Sequence, residues 1–358
     1  MSIHPAHEID DGSGRTHAPS TPAGRDRTTS GAGTMRFGHA SAAPDPQAVA
    51  PDEDGRDVTR SHGQRVRWML RRNPVFWVGA VLAGMVIGVA VLAPVLAPHD
   101  PLTEFRRLMP LDGSALPPSP MFPLGTDVAG RDYLSRTLYG ASTTLAVGLI
   151  SSFLATALGL LVGVVAAYAG VVRIGGIRGR SIGIPVEDLL MRLTDVALAF
   201  PVLLLAIALA QAVGPSVGLV ILVITTVLWS SVARIVYGRA RVLVQAEFVE
   251  AAHAVGSSGT RIVRRHLLPF LVPLALVYGA LGIGTAVVFE ATLTYLGVGV
   301  PPPTPTWGSM IAQNLGWYRQ DPRLLLVPSL AIMVTVLAFT LLGDALRDAL
   351  DPRAGPAA

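Results

Sequence analysis

The sequence predicts an all-α integral membrane protein with six transmembrane helices and both termini in the cytoplasm. Three observations carry that expectation. Of 358 residues, 51% are apolar and only 15% charged, and the mean hydropathy is +0.51, a balance outside the range of ordinary soluble domains. The apolar residues fall into six separated runs, each close to the roughly 20 residues that span a bilayer. The permanent positive charge, all of it arginine, is concentrated in alternate connecting segments.

The runs cover residues 75–96, 144–168, 196–213, 216–235, 271–296 and 324–342. Gly214-Pro215 alone separates the third from the fourth, which predicts a tight hairpin there. Gly159 and Gly163 form a G-x-x-x-G in the second run, the spacing that lets two membrane helices approach closely. Arginine assigns the sides. Arg65, Arg67, Arg71 and Arg72 precede the first run, Arg173, Arg178, Arg180 and Arg192 follow the second, and Arg239, Arg241, Arg261, Arg264 and Arg265 follow the fourth. By the positive-inside rule these segments are cytoplasmic, and six spans then return the C-terminus, with Arg347 and Arg353, to the same side.

The expected organisation is a disordered cytoplasmic tail over 1–64, a signal-anchor helix over 65–97, an extracytoplasmic loop over 98–141, a membrane core over 142–350 and a short cytoplasmic end over 351–358. The tail is rich in Ser, Thr, Gly, Pro, Asp and Arg without a periodic apolar stripe. Its His4, His7, His17 and His39 are too widely spaced to favour a metal site over a solvated tail. A cleaved signal peptide is disfavoured, because the first apolar run begins late and is too long for an h-region.

Two absences limit the chemistry. With no cysteine there are no disulfides, thiolate metal sites or cysteine nucleophiles. With no lysine there is no ordinary P-loop, whose lysine must reach the nucleotide phosphates, so ATP-driven work would need another polypeptide. Nothing in the chain points to nucleic acid.

A polar island between the fourth and fifth runs is the most informative segment. It reads Glu250-Ala251-Ala252-His253-Ala254-Val255-Gly256 and continues to Ile262, His266 and Pro269. At helical spacing Phe248, Ala251, Ala252 and Val255 share a face, Gly256 stops the helix, Ser257 or Ser258 caps a second, and Pro269 closes it. A second segment, Gly125-Thr126-Asp127-Val128-Ala129-Gly130-Arg131-Asp132, has glycines suited to positive φ, aspartates suited to capping, and in Arg131 a partner for carboxylates. Two carboxylates and a hydroxyl fall short of a calcium loop. Structural capping and packing are therefore the preferred reading.

The island resembles the EAA loop of ATP-binding-cassette (ABC) importer permeases in its peptide-transporter form, and 125–132 resembles the G-T-D-x-x-G-R-D segment of C-type dipeptide, oligopeptide and nickel permeases. Leu296-Gly297-Val298-Gly299, the segment from Pro302 through Trp307-Gly308-Ser309-Met310, and Leu342-Gly343-Asp344 extend the likeness, so that it covers residues 67–353. The resemblance implies a type I importer permease that pairs with a homologous second permease subunit as a heterodimer. It implies a coupling loop at 241–270 in which Glu250, Ala251, Ala252, Gly256, Ile262, His266 and Pro269 meet one of two ATPase subunits or domains, which bind the ATP and Mg. An extracytoplasmic solute-binding protein would deliver a di- or oligopeptide, or nickel or another small polar solute, in the cell membrane of a bacterium.

Glu290 is the carboxylate well inside an apolar run, and it is open to two readings, a translocation-path residue or a structural acceptor. Glu250 and His266 have no nucleophile or third partner at a recognisable spacing, which argues against an intramembrane enzyme. A self-contained secondary transporter or channel is the alternative to the permease. It would be expected to show midplane charges and two similar halves.

Overall fold

The computed structural model describes residues 69–169, 172–174, 182–184 and 186–350. The expected tail at 1–64 and end at 351–358 lie outside these. Ten helices dominate: α1 (Pro74–Leu96), α2 (Tyr133–Ala169), α3 (Val186–Ala199), α4 (Val202–Val213), α5 (Val217–Val244), α6 (Glu247–Ala254), α7 (Gly259–Ile262), α8 (Leu268–Tyr295), α9 (Trp307–Asn314) and α10 (Arg323–Leu350). Among the described residues one antiparallel ribbon lies between α2 and α3, with β1 (Val172–Ile174) paired to β2 (Ile182–Ile184) through Arg173 opposite Gly183. Five helices among the described residues are long and apolar enough to cross a membrane, and the bent pair α3–α4 makes a sixth span if counted as one.

α1 shows how these sequences choose their buried faces. Its start is fixed by Asn73, whose side chain accepts from the Val75 amide at 2.9 Å, and by Pro74 in the first turn. It is apolar all round, so hydrophobicity does not distinguish core from lipid. The buried stripe is Gly79, Ala83, Val86, Ala90 and Ala93, four of the five being Gly or Ala, while Val81, Val91 and Val95 are exposed. A Cβ on Gly79 would sit 2.8 Å from the Leu342 amide nitrogen of α10.

The same device joins α2 to α5. A Cβ on Gly159 would lie 2.7 Å from the Trp229 carbonyl, and one on Gly163 2.7 Å from the Ala233 carbonyl, so the G-x-x-x-G is a packing seam. Side-chain hydrogen bonds to backbone carbonyls, such as Ser152 Oγ to Gly279 O at 2.6 Å, tie α2 to α8. Each contributes about 0.6 kcal/mol in a membrane.

Several span boundaries differ from the expectation, and α5 runs on to Val244. α2 begins at Tyr133 and α10 ends at Leu350, because polar residues extend both helices beyond their apolar runs. The third span begins at Val186 and breaks by 84° between Ala199 and Val202, at Phe200-Pro201. Pro201 lacks an amide hydrogen, and the residue before a proline is pushed out of helical geometry. The expected hairpin after α4 is present. Gly214 takes φ +86° and Ser216 caps α5 by accepting from the Leu219 amide.

α3 lies along α5 through two polar rungs. Glu187 accepts from the Tyr237 hydroxyl and pairs with Arg241 at 3.3 Å, and Asp195 pairs with Arg234. Advancing along α3 means retreating along α5, so the two helices run antiparallel.

Candidate functional site

The segment after α5 projects as a knob. α6 ends in a Schellman motif: the Ser257 amide donates to Ala252 O at 3.0 Å and the Gly256 amide to His253 O at 2.9 Å, with Gly256 at φ +77°. That left-handed position is why glycine stands there. Ser258 occupies the N-cap of α7 in extended backbone, but its side chain makes no capping bond.

The second helix of the knob does not stop at Pro269. α7 passes through a π turn at Val263–Leu267 directly into α8, where Pro269 sits in the first turn. Pro269 follows the π turn directly, and the extra residue of that turn relaxes the i→i−4 ladder where the proline ring and missing amide hydrogen would otherwise break it. The knob is therefore continuous with a membrane span.

The face on which the knob rests also differs from the expected one. Val249 and Ala252 are buried, together with Ile262 and Leu267, against Val164 of α2 and Val236 of α5. Phe248 and Val255 are 40% and 82% exposed. The expected stripe is rotated by about one position, since in two turns of helix the apolar residues 248, 249, 251, 252 and 255 satisfy either register. Aromatic contacts complete the base. Tyr168, near the end of α2, stacks on His253 with ring centroids 6.3 Å apart and would be struck by a Cβ on Gly259. Phe248 contacts His266 and Phe270 at 6.3 and 6.1 Å.

The singled-out residues thus separate into two groups. Glu250, Ala251 and Gly256 are exposed at the tip, whereas Ala252 and Ile262 are buried in the base and His266 is half-buried beside it. Pro269 is exposed at the junction with α8. Val249, Leu267 and Tyr168 were missed by sequence reasoning, and of these only Val249, three residues before Ala252, carried a periodic signal.

The long loop between α1 and α2 is braced by 125–132. Gly125 and Gly130 take φ +70° and +82°, and a Cβ on Gly125 would fall 2.2 Å from Leu116 O. Asp127 is fully buried. One oxygen accepts from the Ala129 and Arg131 amides, both at 2.9 Å, and the other pairs with the Arg131 and Arg136 guanidinium groups at 2.8 and 3.3 Å. Gln313 Oε1 on α9 accepts from both arginines, so the loop is fastened to α9. Asp132 caps α2, accepting from the Ser135 amide and hydroxyl. Thr126 Oγ1 accepts from the Leu116 amide at 2.9 Å. Asp127 is an Asx-turn acceptor rather than a helix cap. Among the described residues no group of three or more His, Asp or Glu could hold a metal ion.

Glu290 is fully buried in α8. Its carboxylate accepts from Thr144 Oγ1 of α2 at 3.1 Å and Thr294 Oγ1 at 2.9 Å. Thr144 Oγ1 in turn accepts from the Trp307 amide at 3.3 Å, where Thr306 and Ser309 form a capping box that starts α9. One carboxylate thereby joins two spans and the start of a short helix.

A multi-pass helical bundle with a continuous knob on one span and a fastened loop before another defines a membrane-embedded transport subunit. The family described as "Binding-protein-dependent transport system inner membrane component" matches residues 159–356, and "N-terminal TM domain of oligopeptide transport permease C" matches 61–118. The chain belongs to this family of inner-membrane permeases. Among its relatives, a protein of Brucella abortus biovar 1 (strain 9-941), carried under the name of a peptide transport system permease, is 37% identical over 79% of this chain and 90% of its own length. The glutathione transport system permease protein GsiD of Escherichia coli O6:K15:H31 is 38% identical over 79% and 88%. The relative named for D,D-dipeptide transport in Escherichia coli K12 is 33% identical over 86% and 96%. Membership separates the chain from a self-contained secondary carrier.

Proposed function

We propose that the chain is the pore-forming permease subunit of a peptide importer, in which the knob at 247–267 transmits the work of an ATPase to the membrane spans. The observation that carries this reading is the unbroken passage of α7 through the π turn into α8. A push on the exposed tip at Glu250 and Gly256 is delivered to a spanning helix rather than lost in a loop. Ala252, Ile262 and His266 hold the base, and Pro269 starts the span. Glu290 acts here as a structural acceptor, since it is fully buried and accepts from the Thr144 and Thr294 hydroxyls.

The partners follow from membership of the family and from the absence of a P-loop lysine. A homologous second permease subunit supplies the other wall of the path, two ATPase subunits or domains hold ATP and Mg, and an extracytoplasmic binding protein delivers solute. ATP-driven closure of the ATPases draws the knobs together, and the spans rock from inward-open to outward-open. The names of the three relatives, all for peptides or a peptide-derived solute, favour a short peptide over nickel as cargo.

Two measurements test this reading. The purified chain is expected to show no ATP binding or hydrolysis above background, whereas the assembled complex shows both. Hydrolysis by the chain alone would refute the division of labour. Orientation is testable because the chain has no native cysteine. In intact cells an impermeant thiol reagent should label Asp112→Cys and Thr304→Cys but not Ser258→Cys. Labelling at 258 from outside would invert the topology.

A further inference from the structure

We propose that Asp195 and Arg234 form a charge-pair station on the wall of the solute passage, taking the oppositely charged groups of a peptide as it crosses toward the cytoplasm. This rests on the reading of the chain as a peptide permease.

The two polar rungs between α3 and α5 are unlike each other. Glu187 is enclosed: one oxygen accepts from the Tyr237 hydroxyl, the other pairs with Arg241, and its side chain is 18% exposed. That rung is saturated and structural. Asp195 and Arg234 share a single contact, with side chains 62% and 54% exposed. The second carboxylate oxygen and the remaining guanidinium N–H groups keep their capacity for further hydrogen bonds.

Depth turns exposure into an argument. α5 carries no charge from Val217 to Ala233, and Arg234 stands about 25 Å along it at 1.5 Å per residue. A bilayer core is about 30 Å thick, so the pair lies at its inner edge. At this edge an exposed ion pair faces headgroups, water or protein rather than acyl chains. Arg192 and Asp188, three and seven residues before Asp195, are also exposed and continue the polar lane along α3 with alternating sign. A second observation agrees. The chain breaks by 84° at Phe200-Pro201, one turn beyond Asp195, and irregular backbone at membrane depth is found where it lines a cavity or is buried in protein.

A lane of both signs suits a solute with both signs. An ammonium group can replace Arg234 at Asp195 while a carboxylate takes Arg234, and an exposed ion pair is weak enough to open and reclose without trapping the solute.

The test uses the whole reconstituted complex and two peptides that its binding protein accepts, one with a lysine side chain and one with an aspartate. Relative to the unmodified complex, Asp195→Asn is expected to slow uptake of the lysine peptide about three- to fivefold more than that of the aspartate peptide, and Arg234→Gln to do the reverse. Co-purification of all subunits with each variant serves as the control for assembly. An equal loss for both peptides, no loss for either, or full recovery in the swapped Asp195→Arg/Arg234→Asp pair would make this a structural or intersubunit bridge and overturn the proposal. Uptake of neither peptide by the unmodified complex would instead overturn the peptide reading, and this inference with it.

Discussion

Asp127→Ala is expected to destabilise the protein by about 3–5 kcal/mol, the cost of removing one partner from a buried charge pair. Arg136 is almost wholly buried, and without Asp127 its guanidinium faces only Gln313 and the Pro101 carbonyl, at 3.2 and 3.4 Å. The Ala129 and Arg131 amides lose their acceptor in the same step. Asp127→Asn keeps an oxygen for those amides and loses only the charge, so it should fall between the parent and Asp127→Ala. Thermal melting of the detergent-solubilised protein orders the three. A melting point for Asp127→Ala equal to that of the parent would show that this cluster does not brace the loop.

The second large effect is expected at the knob. A Cβ on Gly256 meets nothing within 4 Å, so Gly256→Val brings no steric overlap, and its whole cost is the left-handed backbone at φ +77°, about 1–2 kcal/mol. The chain relieves that strain by unwinding the Schellman turn, which turns α6 away from α7. Glu250→Lys reverses an exposed charge at the tip and leaves the fold untouched. Both variants should insert normally and lose solute uptake by about tenfold or more, the equivalent of about 1.4 kcal/mol in docking. ATPase activity should no longer respond to loaded binding protein. Parental uptake by both variants, with the complex assembled, would reduce the segment to a surface loop.

The parts of this molecule that were legible in the sequence are those where chemistry leaves little choice. Gly125, Gly130, Gly214 and Gly256 were assigned to turns, and all four have positive φ. The G-x-x-x-G of α2 became a close helix contact because only a missing Cβ permits it. What the sequence left open was register and extent. Phe248 and Val249 are adjacent and apolar, and only the tertiary contacts with Val164 and Val236 decide which one turns inward. Apolar run lengths measured the bilayer rather than the helices, so Tyr133 and Leu350 fell outside their spans. Glu290 could be flagged by its burial in an apolar run, but its partner Thr144 is 146 residues away and carries no local signal.

The uneven stiffness of the spans has a mechanical consequence. α1, α8 and α10 each contain an internal proline, Pro94, Pro273 and Pro328, whereas the 37 residues of α2 contain none. α2 starts at Tyr133, capped by Asp132 of the fastened loop, and reaches Tyr168, against the base of the knob, an uninterrupted rod of about 55 Å. A tilt imposed at one end must appear at the other with little loss, as in a lever. Under the coupling role proposed for the knob, news of a delivered solute then crosses the membrane as rigid-body displacement, without a relay of rotamer changes through the core.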